Sequence, residues 1–205
     1  MSMANSVENS RGNAVLALLL LALAGYLLPW VTAPNSAMTL NAFDLAEWTS
    51  LHPLQQQATP PLIVPLLLRA QLPILAVLIT LWSTSRRERF LAFLFLVLLS
   101  VSQLPPLEFL NNVADPNYRQ LLFLAIATIL LSTGLGFILA AQFRPFVIIF
   151  LAVTGIVTSL LGQSQAIELY QVTLEQGETG GGLWLIVVAY AAVSVNVLQR
   201  FLRRR

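Results

Sequence analysis

Arg69 is the only unambiguous charge that lies inside an apolar segment of this sequence. It follows Leu62 by seven positions in Leu62–Trp82, where thirteen of the twenty-one residues are leucine, isoleucine or valine. These aliphatic residues favour membrane insertion by about 4–8 kcal/mol, against a cost of about 2.5–3.5 kcal/mol for a central arginine. The segment is therefore expected to insert with its arginine in place, and such a charge indicates a ligand site or a buried pair.

Two prolines and a glutamine make the surroundings of Arg69 irregular. Pro73 has no N–H group, so the carbonyl of Arg69 loses its helical hydrogen bond, and Pro65 has the same effect on the carbonyl of Pro61. Gln71 adds a second polar side chain to the same stretch. We therefore predict a kinked helix that faces protein or water, because lipid does not tolerate exposed backbone polar groups.

Three interpretations of Arg69 are open at this point. It could line an outward-open cavity with Gln71 and bind an anionic or polar solute. It could instead pair with an acid such as Glu108, which follows Pro105-Pro106 near the outer end of the third span. In the third interpretation, the segment before Arg69 lies outside the bilayer core and the arginine sits at the interface.

Six apolar segments predict an all-α fold, a bundle of six transmembrane helices in a single integral membrane domain over residues 1–205. A span needs about 20 apolar residues to cross a hydrocarbon core about 30 Å thick. Hydrophobic residues are 57% of the chain and charged residues 10%, which excludes an ordinary soluble surface. The segments are Ala14–Val31, Leu62–Trp82, Phe90–Leu104 with a possible continuation to Leu110, Leu121–Ala141, Phe146–Leu161 and Leu183–Leu198.

Loop charges predict the orientation of these spans. With the N-terminus inside, nine of the eleven arginines and two acids fall on the cytoplasmic side, while Arg119 and seven acids fall outside. The positive-inside rule therefore places both termini in the cytoplasm. Alternatively, Arg11 and the apolar run after it form a cleaved signal peptide, which would leave five spans.

Two outer loops carry further features. Asn41 followed by Asp44 predicts a helix start, with a stop at His52-Pro53, so a short interfacial helix is expected in the first outer loop. Its apolar side would include Phe43, Leu45, Trp48 and Leu51. The third outer loop, Gly162–Gly182, ends in three glycines and is either a loose acidic loop or a moving lid.

Small residues at helical spacing predict helix packing faces, and tryptophans near span ends predict interfacial anchors. Asn196 is expected to form an interhelical hydrogen bond. The packing candidates are Ser132, Gly136, Ala140, Gly155, Ser159 and Asn196, and the anchor candidates are Trp30, Trp48, Trp82 and Trp184.

Composition disfavours most enzyme classes. The chain has no cysteine and one histidine, and it has no P-loop and no His-Glu-x-x-His or Gly-x-Ser-x-Gly motif. Asp44, Glu47 and His52 are metal-ligand types, but His52 stands eight positions beyond Asp44 and would point elsewhere, so these are expected to be solvated side chains. We predict no metal site, no cofactor and no nucleic-acid partner.

The first quarter of the chain resembles many small bacterial polytopic proteins that have no assigned function. The similar stretches are Leu28-Pro29-Trp30-Val31 and, after a polar segment, Asn41-Ala42-Phe43-Asp44-Leu45. This resemblance implies a protein of the bacterial inner membrane and carries no activity. In size the chain is also similar to the substrate-binding subunits of energy-coupling-factor vitamin transporters, although Ala14–Val31 contains no Ala-x-x-x-Ala signature.

Two functions follow as hypotheses. The first is a non-enzymatic accessory or assembly subunit of a membrane complex, with the lipid bilayer and a membrane-protein partner or a second copy as its neighbours. The alternative is a small-solute transport or substrate-binding subunit, with a pocket for a small anionic solute near the outer half of the second span. The presence of a single polar intramembrane cluster favours the first slightly.

Overall fold

The computed structural model describes residues 3–33, 38–83, 85–170 and 178–203, with side chains described from Ala14 to Thr32 and throughout the later ranges. Within these residues the chain forms nine α-helices and three short β-strands. The helices are α1 Met3–Leu27, α2 Ala42–Leu51, α3 Pro53–Gln57, α4 Ile63–Arg69, α5 Gln71–Trp82, α6 Arg86–Val101, α7 Pro116–Ile138, α8 Arg144–Leu169 and α9 Gly181–Arg203.

Four helical units in the described chain are long and apolar enough to cross a membrane. They are Ile63–Trp82, which joins α4 and α5, and the helices α7, α8 and α9. The apolar part of α1, Ala14–Leu27, is shorter. Helix α6 has 16 residues, which corresponds to about 24 Å. The all-α class is thus confirmed, while four of the six predicted spans reach the length and apolar content of a membrane helix.

Several predicted boundaries differ from the structure. Helix α8 continues past the predicted end at Leu161 to Leu169, because the polar residues after Leu161 still belong to a packed helix. Helix α6 does not continue to Leu110, since two prolines follow it and a separate 3-10 helix forms over Leu107–Asn111. Val31, predicted to end the first span, belongs to a strand.

A small antiparallel sheet covers one end of the bundle. Strand β1, Val31–Ala33, lies between β2, Met38–Leu40, and β3, Glu178–Thr179. We call this end, which also carries α2, the sheet end. At the opposite end the guanidinium carbon of Arg200 lies 4.6 Å from the ring centroid of Trp82, so α5 and α9 finish side by side. We call that the arginine end, and its described arginines are Arg86, Arg87, Arg89, Arg144, Arg200 and Arg203.

The α4–α5 unit is the centre of the bundle. In the most apolar 18-residue stretch of this unit, 72% is buried inside the protein. The corresponding share is 28–39% in the other three membrane-length helices. Helix α5 packs on α1, α6, α7 and α8, while α9 packs along α1 and α8. The polar groups of α4 and α5 are therefore held inside protein, as expected for a helix with two prolines.

Candidate functional site

The central helix is interrupted at the position where the sequence predicts a kink. Helix α4 ends at Arg69, α5 begins at Gln71, and Ala70 between them keeps right-handed dihedral angles. The Ala70 carbonyl still accepts a hydrogen bond from the Ile74 nitrogen at 3.1 Å. Since Pro73 cannot donate to the Arg69 carbonyl, the series of helical hydrogen bonds is interrupted at this point.

Arg69 is almost completely buried, with 1% of its surface exposed, and its guanidinium contacts two other helices. Nη2 lies 2.7 Å from Oε1 of Glu47 on α2. Nη1 donates to Oδ1 of Asn117 at 2.7 Å and to Oε1 of Gln120 at 2.9 Å, both on α7. One arginine therefore joins α2, α4 and α7, and its charge is neutralised by a carboxylate of the same chain.

The acid that pairs with Arg69 is Glu47, and the expected partner Glu108 was the wrong choice. Glu108 lies in the 3-10 helix after α6 with an exposed side chain. Helix α2 folds back on α4 and delivers Glu47, which sequence spacing alone treats as a solvated charge. The structure thus supports the pairing interpretation of Arg69 with a different acid.

Helix α2 follows the predicted capping, but it packs more deeply than a surface helix. Asn41 caps its first turn through Oδ1, which accepts from the Asp44 nitrogen at 3.0 Å, and His52 follows its last residue. Leu45 and Ala46 are fully buried. The other residues of the predicted apolar side are 37–69% exposed: Phe43, Trp48 and Leu51.

Tyr170 holds the far side of α2. Its hydroxyl donates to the carbonyl of Trp48, and its ring meets that of His52 edge-on with centroids 5.4 Å apart. Partial burial raises the pKa of Tyr170, so the hydroxyl stays protonated as a donor near neutral pH. The helix is therefore fixed at Glu47 and at Trp48 by two different partners.

Gln71 connects the kink to α8. Its Nε2 donates to Oγ1 of Thr158 at 2.8 Å and to the carbonyl of Gly155 at 3.3 Å. The Gln71 Oε1 atom is buried without a hydrogen-bond partner among the described residues. The Oγ atom of Ser159, which follows Thr158 on α8, is in the same situation. Buried polar atoms normally have a hydrogen-bond partner, so the Gln71 Oε1 and Ser159 Oγ atoms are unusual.

Two tyrosines extend the same polar region. Tyr26 on α1 and Tyr190 on α9 are buried, and in the described part of the chain neither hydroxyl has a hydrogen-bond partner. The ring of Tyr190 packs directly on Gly155, the residue whose carbonyl accepts from Gln71. Gly25, the neighbour of Tyr26, lies against α9: a Cβ atom on it would be 2.8 Å from the nitrogen of Ile186, which stands one turn before Tyr190.

We call these residues the polar core. Helices α1, α4, α5, α8 and α9 each contribute to it at the kink. Chemically it offers hydroxyl and guanidinium donors, one amide acceptor, and no thiol or imidazole. Its members with a buried atom that lacks a partner in the described structure are Tyr26, Arg69, Gln71, Ser159 and Tyr190.

The expected interfacial tryptophans divide into two groups. Trp30 is fully buried, contrary to expectation, because its Nε1 donates to the Gly25 carbonyl at 2.9 Å and β1 folds it under the sheet. Trp48 and Trp184 are 37% and 56% exposed. Trp82 is half-buried beneath Arg200.

The packing candidates also have different environments. A Cβ atom on Gly136 would lie 3.2 Å from Cγ2 of Thr80, so α7 approaches α5 closely there, and Ser132 one turn earlier is buried. Ala140 is exposed and lies beyond the end of α7. Asn196 donates to the Ala192 carbonyl of its own helix at 2.9 Å, whereas an interhelical bond was expected.

The three glycines at the start of α9 are not a free hinge, because two of them are bonded to the end of the first span. The Gly180 nitrogen donates to the Trp30 carbonyl at 2.7 Å, and the Gly182 nitrogen donates to the Pro29 carbonyl at 2.9 Å. Gln163 of α8 also donates to the Trp30 carbonyl, at 2.8 Å. The acidic middle of the predicted lid, including Glu175, lies outside the described residues, as do Arg204 and Arg205.

Several polar residues that connect the helices were not predicted from the sequence. Asn117 and Gln120 stand at the start of α7, one turn apart, which is a detectable polar face on an apolar helix. A second polar contact joins the turn after α6 to α7, where Gln103 Nε2 donates to Thr128 Oγ1 at 3.1 Å. Residues 100–103 precede two prolines and offered no distinguishing signal.

No group of histidine, aspartate and glutamate side chains able to hold a metal ion is present among the described residues. The polar core and the Arg69 contacts are thus the candidate site, and it is one for polar or anionic groups. Comparison of the chain with protein-family models, with curated proteins and with solved structures finds no match.

Proposed function

We propose that this chain is a multi-pass membrane protein that binds a small polar or anionic solute in its polar core, as a transport or substrate-binding subunit. The observation that carries the proposal is the set of five buried side-chain atoms of the polar core that have no hydrogen-bond partner among the described residues, including the Tyr26 and Tyr190 hydroxyls. Polar groups in a low-dielectric interior are costly unless they are hydrogen-bonded. A kinked helix at such a point is typical of membrane solute sites.

The proposed arrangement has six spans in a bacterial inner membrane, with the arginine end in the cytoplasm. The four membrane-length helices support it, and α1 and α6 would complete the hairpins. The shorter α6 would be accommodated by local thinning of the bilayer. Exposed apolar side chains cover α6, including Phe90, Phe93 and Leu98, and suit contact with lipid. Phe43 and Trp48 on α2 would then lie at the outer interface.

A second candidate is the accessory or assembly subunit, and one observation favours it. Arg69 already has a carboxylate at 2.7 Å and two amide oxygens, so it needs no ligand for charge balance. In that case the residue is a structural connection between α2 and α7. The bundle would then act by binding another membrane protein or a second copy.

Native mass spectrometry of the full chain, released from mild detergent, distinguishes the two functions. A solute subunit retains a small molecule that is lost in Ser159→Ala and Tyr190→Phe. Ser132→Ala is the matched control, because Ser132 also carries a buried hydroxyl without a partner among the described groups but lies on α7, which does not contribute to the polar core. An accessory subunit instead co-purifies with a protein, and its small-molecule content is unchanged by Ser159→Ala.

A further inference from the structure

The guanidinium of Arg69 has one edge that is only half used. A guanidinium binds a carboxylate best through two parallel hydrogen bonds from adjacent nitrogens. Nη1 is taken by Asn117 and Gln120, which leaves the edge formed by Nε and Nη2. Glu47 contacts Nη2 alone, and Nε is buried with no partner in the described structure. The edge that suits a bidentate carboxylate is thus held by a single bond.

Glu47 is placed so that it can leave this edge. Its side chain is 36% exposed, while that of Arg69 is 2% exposed, so the carboxylate lies between the buried cation and the surface. Leu45 and Thr49, on the other side of α2, are buried and hold the helix in place. Only the Glu47 side chain therefore has to move. Rotation of the Glu47 side chain into water would open Nη2 and Nε together.

Charge balance selects the class of anion. Arg69 is the one arginine of the described residues that is buried at the sheet end, since Arg119 is exposed. A monoanion that replaces Glu47 keeps the site neutral, whereas a dianion would leave an uncompensated charge in a low-dielectric interior.

We propose that the Nε–Nη2 edge of Arg69 binds the carboxylate of a small monocarboxylic acid, and that Glu47 occupies this edge as an exchangeable internal anion. The inference rests on the proposed function and names its substrate class. Asn117 and Gln120 are positioning residues, because they hold Nη1 and so fix the orientation of the guanidinium and of its free edge.

Thermal unfolding of the full chain in nanodiscs tests the exchange, with intrinsic tryptophan fluorescence as the readout. Sodium acetate is the probe, and sodium chloride at equal ionic strength and neutral acetamide are the controls. Acetate raises the midpoint of the wild type, and neither control does. In Glu47→Gln the internal competitor is uncharged, so the half-saturating acetate concentration falls by about tenfold, which corresponds to 1.4 kcal/mol. Glu178→Gln, an exposed acid at the same end, responds as the wild type does.

Arg69→Lys provides the test of the two-nitrogen edge. Lysine keeps the charge but lacks the planar pair of donors, so acetate is expected to raise the unfolding midpoint less than in the wild type. In the Arg69→Lys protein, Glu47→Gln should then no longer lower the half-saturating acetate concentration tenfold. An acetate response that is equal in Arg69→Lys and in the wild type overturns the inference, and so does an unchanged half-saturation in Glu47→Gln.

This outcome is separable from that of the proposed function. If a small molecule is retained in a Ser159-dependent way but acetate acts independently of Arg69, the solute function stands and the carboxylate assignment is wrong. If acetate acts through Arg69 while no molecule is retained, the anion edge stands and the solute function fails.

Discussion

Tyr190 lies so close to Gly155 that no side chain fits between them. A Cβ atom built on Gly155 would lie 2.5 Å from Cε2 of the Tyr190 ring and 2.9 Å from two further ring atoms. A ring held between two helices cannot move aside as the end of a flexible side chain can. The contact fixes α8 against α9 and places the Tyr190 hydroxyl in the polar core.

Gly155→Ala is therefore expected to destabilise the protein. The added methyl group forces α8 and α9 apart at a cost of about 1–3 kcal/mol, which exceeds the gain of about 0.5–1 kcal/mol from replacing a helical glycine. Denaturant unfolding in micelles measures the change. Gly134→Ala is the matched control, since its Cβ atom meets nothing within 4 Å. It should be neutral or stabilising, and equal losses in both variants would contradict the packing argument.

The crossing of α1 and α9 gives a second prediction. A Cβ atom on Gly182 would lie 2.4 Å from the Leu28 carbonyl oxygen, whereas one on Gly181 would meet no atom within 4 Å. Gly182→Ala should lower the unfolding midpoint and cost about 1–3 kcal/mol, because backbone atoms must separate. Gly181→Ala should change little. Similar behaviour of the two adjacent glycines would mean that α9 begins differently from the described helix.

The sequence predicted the helical class and the kink well because both depend on local chemistry. The run of aliphatic residues defines the central helix, and Pro73 removes one particular hydrogen bond whatever the rest of the chain does. The Asn41 cap is similarly local, since its side chain bonds a nitrogen three residues on. Features of this kind can be derived from neighbours along the chain.

The partner of Arg69 could not be derived in this way. Glu47 and Arg69 are 22 residues apart and meet only because α2 folds back over α4. Glu108 was equally plausible by charge and by predicted depth. Trp30 shows the same limit, because an aromatic residue at a span end fits an interface and a buried contact equally well until the position of β1 is known.

Fusions test the orientation of the proposed spans. Green fluorescent protein or alkaline phosphatase is attached after Arg205 and, separately, within residues 83–89, which comprise the connection from α5 to α6 and the first turn of α6 at the arginine end. Both sites are expected to give fluorescence and no phosphatase activity, because arginine-rich short loops stay in the cytoplasm. A phosphatase fusion within residues 112–115, between the 3-10 helix and α7, is the control and should be active. Phosphatase activity at either arginine-end site would reverse the topology.

A double-mutant cycle measures the Arg69–Glu47 pair. Arg69→Leu leaves Glu47 without its cation and loses the bonds to Asn117 and Gln120, while Glu47→Gln leaves a buried guanidinium without a counter-charge. Breaking a fully buried pair costs about 3–5 kcal/mol, but Glu47 is 36% exposed, so a coupling energy of about 1–3 kcal/mol is expected.

The control cycle replaces Glu47→Gln by Glu108→Gln, which should add to Arg69→Leu within about 0.5 kcal/mol because the two sites share no contact. Unfolding of all variants by denaturant in the same micelles provides the free energies. A coupling near zero for Glu47 would mean that the 2.7 Å contact contributes no net stability, so that the carboxylate exchanges with water at little cost. A larger coupling for Glu108 than for Glu47 would contradict the pairing described for α2 and α4.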